Sequence, residues 1–356
     1  MAMIRVYNIA KSIINVGGRV CRSTYRKTVA VARLVNSEVK RRPALPADRR
    51  MYAYRRGFLS HAPLLFDDLD DCLSNWQRER TRYLNGKRTW VHEDKLLWYY
   101  VFLPRFAGVL PELYGYISEG YRTDLPFGDS TEDTLRDCIA SHDKLVIKGV
   151  LSGSGNDVYI IDSNTDPAEI DRLENSSEEF LVTEFIEQAE YAARIYPKAT
   201  NTLRLITMID PVSRTPFIAA AMHRFGTDAS APLDNFDQGG IIAGIDVHTG
   251  GLSEAHSYPT DGATGGLSTH PDTDEPIQNV EIPGWASVRD HVLEMADYVS
   301  PITPYVGWDI VVQDDGNTMA VIEANSHPGV NGIQTVQPLL SDDRNCNFYR
   351  YHGIID

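Results

Sequence analysis

The sequence predicts an α+β protein with a mainly helical, basic N-terminal region. The first hundred residues space their apolar side chains at helical intervals, whereas the chain past Pro111 falls into short apolar β-rich runs separated by glycine-, proline- and asparagine-containing turns. At 356 residues, 42% of them hydrophobic, the chain is long enough for two or three lobes of roughly 150 residues each, with a true core.

Composition removes several function classes. No run reaches the roughly eighteen apolar residues of a membrane-spanning helix; the longest, Leu96 to Pro104, has Lys95 in front of it. Cys21, Cys72, Cys138 and Cys346 are scattered singly, without zinc spacing or a CxxC pair, which suits a reduced compartment. The first twenty residues lack a secretory pattern, so a cytoplasmic location is expected. The net charge of −15 is unevenly distributed. Residues 1–56 carry 14 Lys and Arg against Glu38 and Asp48 alone, leaving the remainder at −27. So acidic a body is a poor nucleic-acid binder.

Taken in order, Ile4, Ile9, Ile13 and Ile14 recur near helical spacing, as do Val29, Val31, Leu34, Val35 and Val39. Two basic amphipathic helices are expected within residues 1–48, with peripheral contact to an anionic membrane through residues 1–45, at the inner face, as one use and packing on the protein itself as the other. Pro43 and Pro46 end this segment. A helical lobe over 49–110 follows, its helix running from Leu64 to Tyr100 with Asn85-Gly86 as a stop.

Residues 145–148 (LVIK) and 158–162 (VYIID) read as strands joined through Ser152, Gly153, Ser154 and Gly155. This loop opens no helix, so it is neither a Walker nor a Rossmann motif. Glycines there would still let backbone N–H groups approach phosphate oxygens, with Lys148 as a fixed cation. The strand FLVTEFIE, 180–187, ends in acidic residues beside Phe185 and Ile186, a pattern suited to adenine and ribose. NTLRLITMID and PFIAAAMHRFG, beginning at Asn201 and Pro216, bring in Arg204 and Arg224, whose planar forks match phosphate or carboxylate. After the Gly239-Gly240 pair of DNFDQGG comes a helix, Trp285 to Val299.

Two strands close the pattern. Asp309 lies on YVGWDIVVQ, while Glu323 and Asn325 stand two apart on MAVIEAN and so share a face. A hairpin would converge the three as hard oxygen ligands, the donor set of magnesium, and burial of such groups in apolar strands demands a partner.

In this order the motifs resemble the ATP-grasp superfamily, most closely its sugar-transfer-associated branch, over approximately residues 50–340. The matching segments are Asp94-Lys95, LVIK with its glycine loop, TEFIEQ, NTLR, HR, DNFDQGG, GWD and IEANSHPG. Parts are also similar to ribosomal-protein glutamate-ligase-type enzymes. The resemblance implies an ATP-grasp fold with a small lobe over 111–190 and a large lobe over 191–356. Lys95, Lys148 and residues 152–155 would hold phosphates; Glu184, Phe185, Ile186 and Glu187 would line adenine; Gln188 or Glu190 would reach ribose; Asn235, Gly239 and Gly240 would complete the nucleotide site. Asp309, Glu323 and Asn325 would bind two Mg2+ ions, or Mn2+, and Arg204 and Arg224 would be catalytic.

The chemistry so implied is ADP-releasing ligation of a small-molecule carboxylate to an amine through an acyl phosphate, on a sugar acid or amino acid in glycan, envelope or secondary metabolism. A small-molecule kinase or a non-catalytic nucleotide binder is the alternative. His223, His270, His327, Trp308 and Asn331 are second-tier candidates for an acceptor pocket, against an equal expectation of simple packing. D-alanine-D-alanine ligases carry an arginine where this chain has Gly307, which leaves Arg224 as the first choice for stabilising the anion.

Overall fold

The computed structural model describes residues 22–41, 45–118, 121–123, 134–151, 157–259, 265–313 and 318–356. The glycine loop expected at Ser152, Gly153, Ser154 and Gly155, the helix expected over residues 3–16 and the DDGN turn at 314–317 lie outside them. The chain forms two compact units. One contains Met1–Leu84, Pro259–Gly265 and Gly329–Asp356, and the other Asn85–Tyr258 and Gly266–Pro328. The division differs from the boundaries read from the sequence at 48/49, 110/111 and 190/191. A unit is set by which backbones and side chains bond to one another, and composition shifts along the chain do not report that.

In the first unit, helix Arg22–Arg41 packs on helix Asn75–Thr81, where Arg33 Nη1 lies 3.4 Å from the buried Glu79 Oε2. The helix expected to run from Leu64 to Tyr100 is interrupted. Ala62–Leu65 ends at Phe66, and Asn75–Thr81 starts afresh at a capping box in which Ser74 Oγ accepts from Gln77 N and Gln77 Oε1 accepts from Ser74 N. Between them, the Leu73 backbone bonds to the side chain of Gln334: its N–H donates to Gln334 Oε1 at 2.6 Å and its carbonyl accepts from Nε2 at 3.2 Å. The C-terminal residues thereby belong to this unit, through Leu340 N donating to Asp71 O and Arg80 Nη1 donating to Ile354 O as well.

The second unit holds two antiparallel sheets. The strands are β1 (Leu113–Ser118), β2 (Tyr121–Thr123), β3 (Lys144–Gly149), β4 (Val158–Asp162), β5 (Phe180–Glu184), β6 (Leu203–Ile209), β7 (Pro216–Phe225), β8 (Ile241–Ile245), β9 (Leu252–Ser257), β10 (Tyr305–Val312) and β11 (Met319–Asn325). The first sheet is ordered β2-β1-β5-β3-β4 and the second β11-β10-β6-β7-β8-β9. Alternation decides their faces. Leu203, Leu205, Val306, Trp308 and Ile310 point into a core shared with helices Lys95–Phe106 and Trp285–Val299. The intervening Arg204 and Asp309 therefore occupy the opposite face.

Asn85 fixes the start of this unit by imitating a strand partner. Its buried amide donates to Tyr305 O at 2.7 Å and accepts from Tyr305 N at 3.3 Å. Asn85→Ala is expected to lower unfolding stability by about 1–3 kcal/mol, because two buried backbone groups lose their partner; denaturant titration measures the loss.

Candidate active site

Arg204 on β6, Asp309 on β10 and Glu323 on β11 form one row, each opposite the next in strand register. Register on β11 depends on a bulge. Asp309 faces Glu323 while Ile310 faces Val321, so Ile322 is the extra residue. The bulge aims Glu323, and Asn325 two positions on, to the Asp309 side while Ala320 keeps its place beside Val311 on that same face. Ile186, following β5, packs against Val311 and Ala320. The segment after β5 and the acidic row thus share one sheet surface.

The Arg204 fork is bidentate, with Nε donating to Asp309 Oδ1 and Nη2 donating to Oδ2 at 2.7 Å. Arg224 Nη2 lies 3.5 Å from the same Oδ2. Burial alone would raise the Asp309 carboxyl, but the two arginines outweigh it and hold the group below the usual carboxylate range. Glu323 shifts the other way: burial and then the Asp309 charge raise it, against the pull of Lys95, Arg204 and Lys148. Burial lowers the Lys148 amine to about 8, with Glu323 opposing and Lys95 reinforcing the shift. Lys148 of β3 and Lys95, the buried first residue of its helix, thus both act electrostatically on the carboxylate of β11.

Arg224 is seated by residues that sequence reasoning passed over. Its Nε donates to Thr202 Oγ1 at 2.8 Å. Thr202 in turn donates through Oγ1 and, at 3.0 Å, through its N–H to Asp234 Oδ2. Asp234 opens DNFDQGG, and this is the signal that could have singled it out. The glycines of that loop serve tight packing: Gly239 has φ +109°, and a Cβ on Gly240 would lie 2.8 Å from Asp234 O.

The Gln188 amide, one of the two groups expected at the ribose, is bonded to the protein itself. Its Nε2 donates to Tyr196 O and Ala199 O, and its Oε1 accepts from Asn201 N and Nδ2, which occupies the whole amide. Asn201 is likewise scaffold, donating to Ala192 O and Tyr196 O and accepting from Gly226 N. Glu184 accepts from Glu112 N at 3.1 Å, and Lys144 Nζ sits 4.1 Å from the Phe185 ring centroid. Glu187 and Glu190 are exposed, Glu190 as the first residue of helix Glu190–Ile195, and Asn235 N-caps the short 3-10 turn Phe236–Gln238.

Of the second-tier candidates, His223 is buried between Tyr191 OH and Arg224 O, and burial lowers its pKa to about 3, so it stays neutral. Trp308 is buried and donates to Thr207 Oγ1, His270 stacks on Tyr196, and Asn331 belongs to the other unit. His327 lies half-buried two positions past Asn325. Gly307 has no room for a side chain, since a Cβ there would fall 2.6 Å from Pro328 Cβ. An arginine at that position is sterically excluded.

The oxygen donors fit a hard divalent cation. The adjacent Asp309 and Glu323 charges repel, which a dication would relieve. Among the described residues no group of three His, Cys, Asp or Glu could hold a metal, and Asn325, two positions past Glu323 on the same strand face, is a further oxygen donor beside the pair.

Residues 78–341 match the family model of sugar-transfer associated ATP-grasp proteins. The chain belongs to this family. No curated protein matches it. Among solved structures, this ATP-grasp chain is similar to the ligase PsnB complexed with a minimal precursor, at 15% identity over 76% of this chain and 64% of that one, with a TM-score of 0.41. The ADP complex of purK, N5-carboxyaminoimidazole ribonucleotide synthetase, gives 13% over 68% and 46% with a TM-score of 0.40. The D-alanine-D-alanine ligase of Coxiella burnetii gives 13% over 74% and 58% with a TM-score of 0.39. The chain spans less than two thirds of the length of each of these three.

Two outcomes follow from the electrostatics. Arg204→Met should destabilise the fold by about 3–5 kcal/mol by leaving Asp309 buried and less compensated, whereas the Arg204→Met/Asp309→Leu double variant should recover most of that loss in denaturant unfolding. Lys148 is charged below its pKa of about 8 and neutral above it. Nucleotide affinity should therefore fall as pH rises through about 8, by up to about tenfold per pH unit, and Lys148→Arg should flatten the profile in a titration series.

Proposed function

We propose that this ATP-grasp protein is an ATP- and magnesium-dependent carboxylate–amine ligase that forms an amide through an acyl phosphate and releases ADP. The observation that carries the reading is the Arg204–Asp309–Glu323 row, joined by Arg224, Lys95 and Lys148, on the sheet face that also packs the Ile186 hinge. In this reading Lys95 and Lys148 hold nucleotide phosphates, and Glu184 to Ile186 border the adenine.

Asp309, Glu323 and Asn325 would hold magnesium, which supplies charge neutralisation when a carboxylate approaches a triphosphate. The carboxylate oxygen attacks the γ-phosphorus, and ADP leaves. The amine nitrogen then attacks the acyl carbon, inorganic phosphate departs, and the amine proton passes to solvent or a base. The protein's part is positioning and a preorganised positive field. Arg224, held by Thr202 and Asp234, supplies a fixed cation where the transferring phosphoryl and the acyl oxygens crowd together. Arg204, bidentate to Asp309, holds that carboxylate ionised and fixed in place, where it would serve as a magnesium ligand. A sugar acid or an amino acid is the substrate class proposed for the carboxylate.

Incubation with ATP and magnesium across pooled amino acids and carboxylated sugars, with phosphate and product mass read together, tests the reading. Free phosphate with a product lighter by one water than its two substrates supports ligation; a phosphorylated acceptor overturns it in favour of a kinase. Glu323→Ala should abolish magnesium-dependent turnover and remove the rise in melting midpoint that magnesium gives the unaltered chain. Full activity in that variant refutes the metal assignment.

A further inference from the structure

Helix Arg22–Arg41 presents to solvent a face that a freely solvated helix would fill with charge. Val31, Val35 and Val39 recur every fourth residue and are 47%, 42% and 65% exposed, and Tyr25 is 48% exposed. The opposite side of the helix is the one that packs. Ala30 is buried, Arg26 lies 4.1 Å over the Tyr83 ring, and Arg33 meets Glu79. The helix has a single acidic residue, Glu38, which borders the valine row half-buried and is paired, accepting from Ser60 N at 2.9 Å, Ser60 Oγ at 2.6 Å and Tyr54 OH at 2.7 Å. Its charge is thus engaged by neighbouring donors of the same unit. Helix Ala47–Arg55 in the same unit adds exposed Met51 and Tyr52 together with Arg49, Arg50 and Arg55.

Charge selects the occupant. Residues 1–56 hold 14 Lys and Arg against two acidic residues, one of them Glu38, while the remaining 300 residues sum to −27. We infer that the Val31–Val35–Val39 face of helix Arg22–Arg41 docks on an anionic lipid surface, the valines entering the headgroup boundary and the flanking cations meeting lipid phosphates. A polynucleotide would satisfy the cations but offers no apolar phase to the valines. A second copy of the chain would cover the valines but would oppose one cationic segment to another. The acidic remainder carries the opposite charge and is repelled by the same surface, so it adds no attraction of its own. The inference is independent of the ligase reading.

Flotation of the full chain with phosphatidylcholine vesicles, with and without phosphatidylglycerol, tests it. The expected result is recovery with the anionic vesicles only, weakened by raised salt, and a fall of at least roughly tenfold for Val35→Asp/Val39→Asp. Because both side chains are exposed, that variant should keep its circular dichroism and nucleotide binding; Arg49→Glu/Arg50→Glu, which spares the valines, should weaken recovery through charge alone. Equal recovery of unaltered chain and valine variant, or equal recovery with neutral vesicles, overturns the inference. So does a dimer that the valine variant dissociates, which would assign the face to a second copy.

Discussion

The site is organised by one buried ion pair, Arg204 with Asp309, set between two strands whose other faces are apolar except for Thr207, which is bonded to Trp308. A carboxylate at that depth is costly unless a cation shares it, and the bidentate guanidinium provides both charge and direction. The pair also ties adjacent strands at one register point, since Arg204 and Asp309 stand directly opposite one another in β6 and β10. Glu323 is then the next residue in the row, and the bulge at Ile322 sets its direction. Slippage by one residue would move the whole row into the hydrophobic core.

The two carboxylates of the row are held in unlike states by their surroundings. Asp309 sits under two arginines and is kept ionised, whereas Glu323, close to the same negative charge and buried, is raised. Such a split is what an incoming dication would remove, because it favours the ionised form of both at once. On the cationic side, the arginines are anchored to fixed partners within the large sheet, while Lys148 comes from the other sheet and its charge is the one most weakened by burial. The permanent charges therefore define the site and the lysine adjusts it.

The scaffold explains residues whose motif positions suggested ligand contact. The amide groups of Gln188 and Asn201 knit the segment after β5 to the entry of β6 and the exit of β7, and Gly239 and Gly240 let the chain fold closely enough for Asp234 to meet Thr202. Motif strings mix such supports with the groups they support. At Gly307 a missing side chain has the same standing, since the Pro328 ring fills its space.

Strands β3 to β7, β10 and β11, the helix Trp285–Val299, the pairing of Glu323 with Asn325 on one face and the family itself were legible in the sequence, because periodicity and residue chemistry are local properties, whereas β1, β2, β8 and β9 were not read from it. The helical reading between Leu64 and Tyr100 failed at Phe66 to Ser74, where apolar spacing is helical but side-chain bonds from Gln334, far along the chain, hold the backbone open. For the same reason the sequence alone could not show that the Gln188 amide is bonded to the scaffold, find Thr202 and Asp234 beneath Arg224, or tell that the last residues belong with the first. Those outcomes depend on which distant groups satisfy a buried donor or acceptor, and only the folded chain brings the groups together.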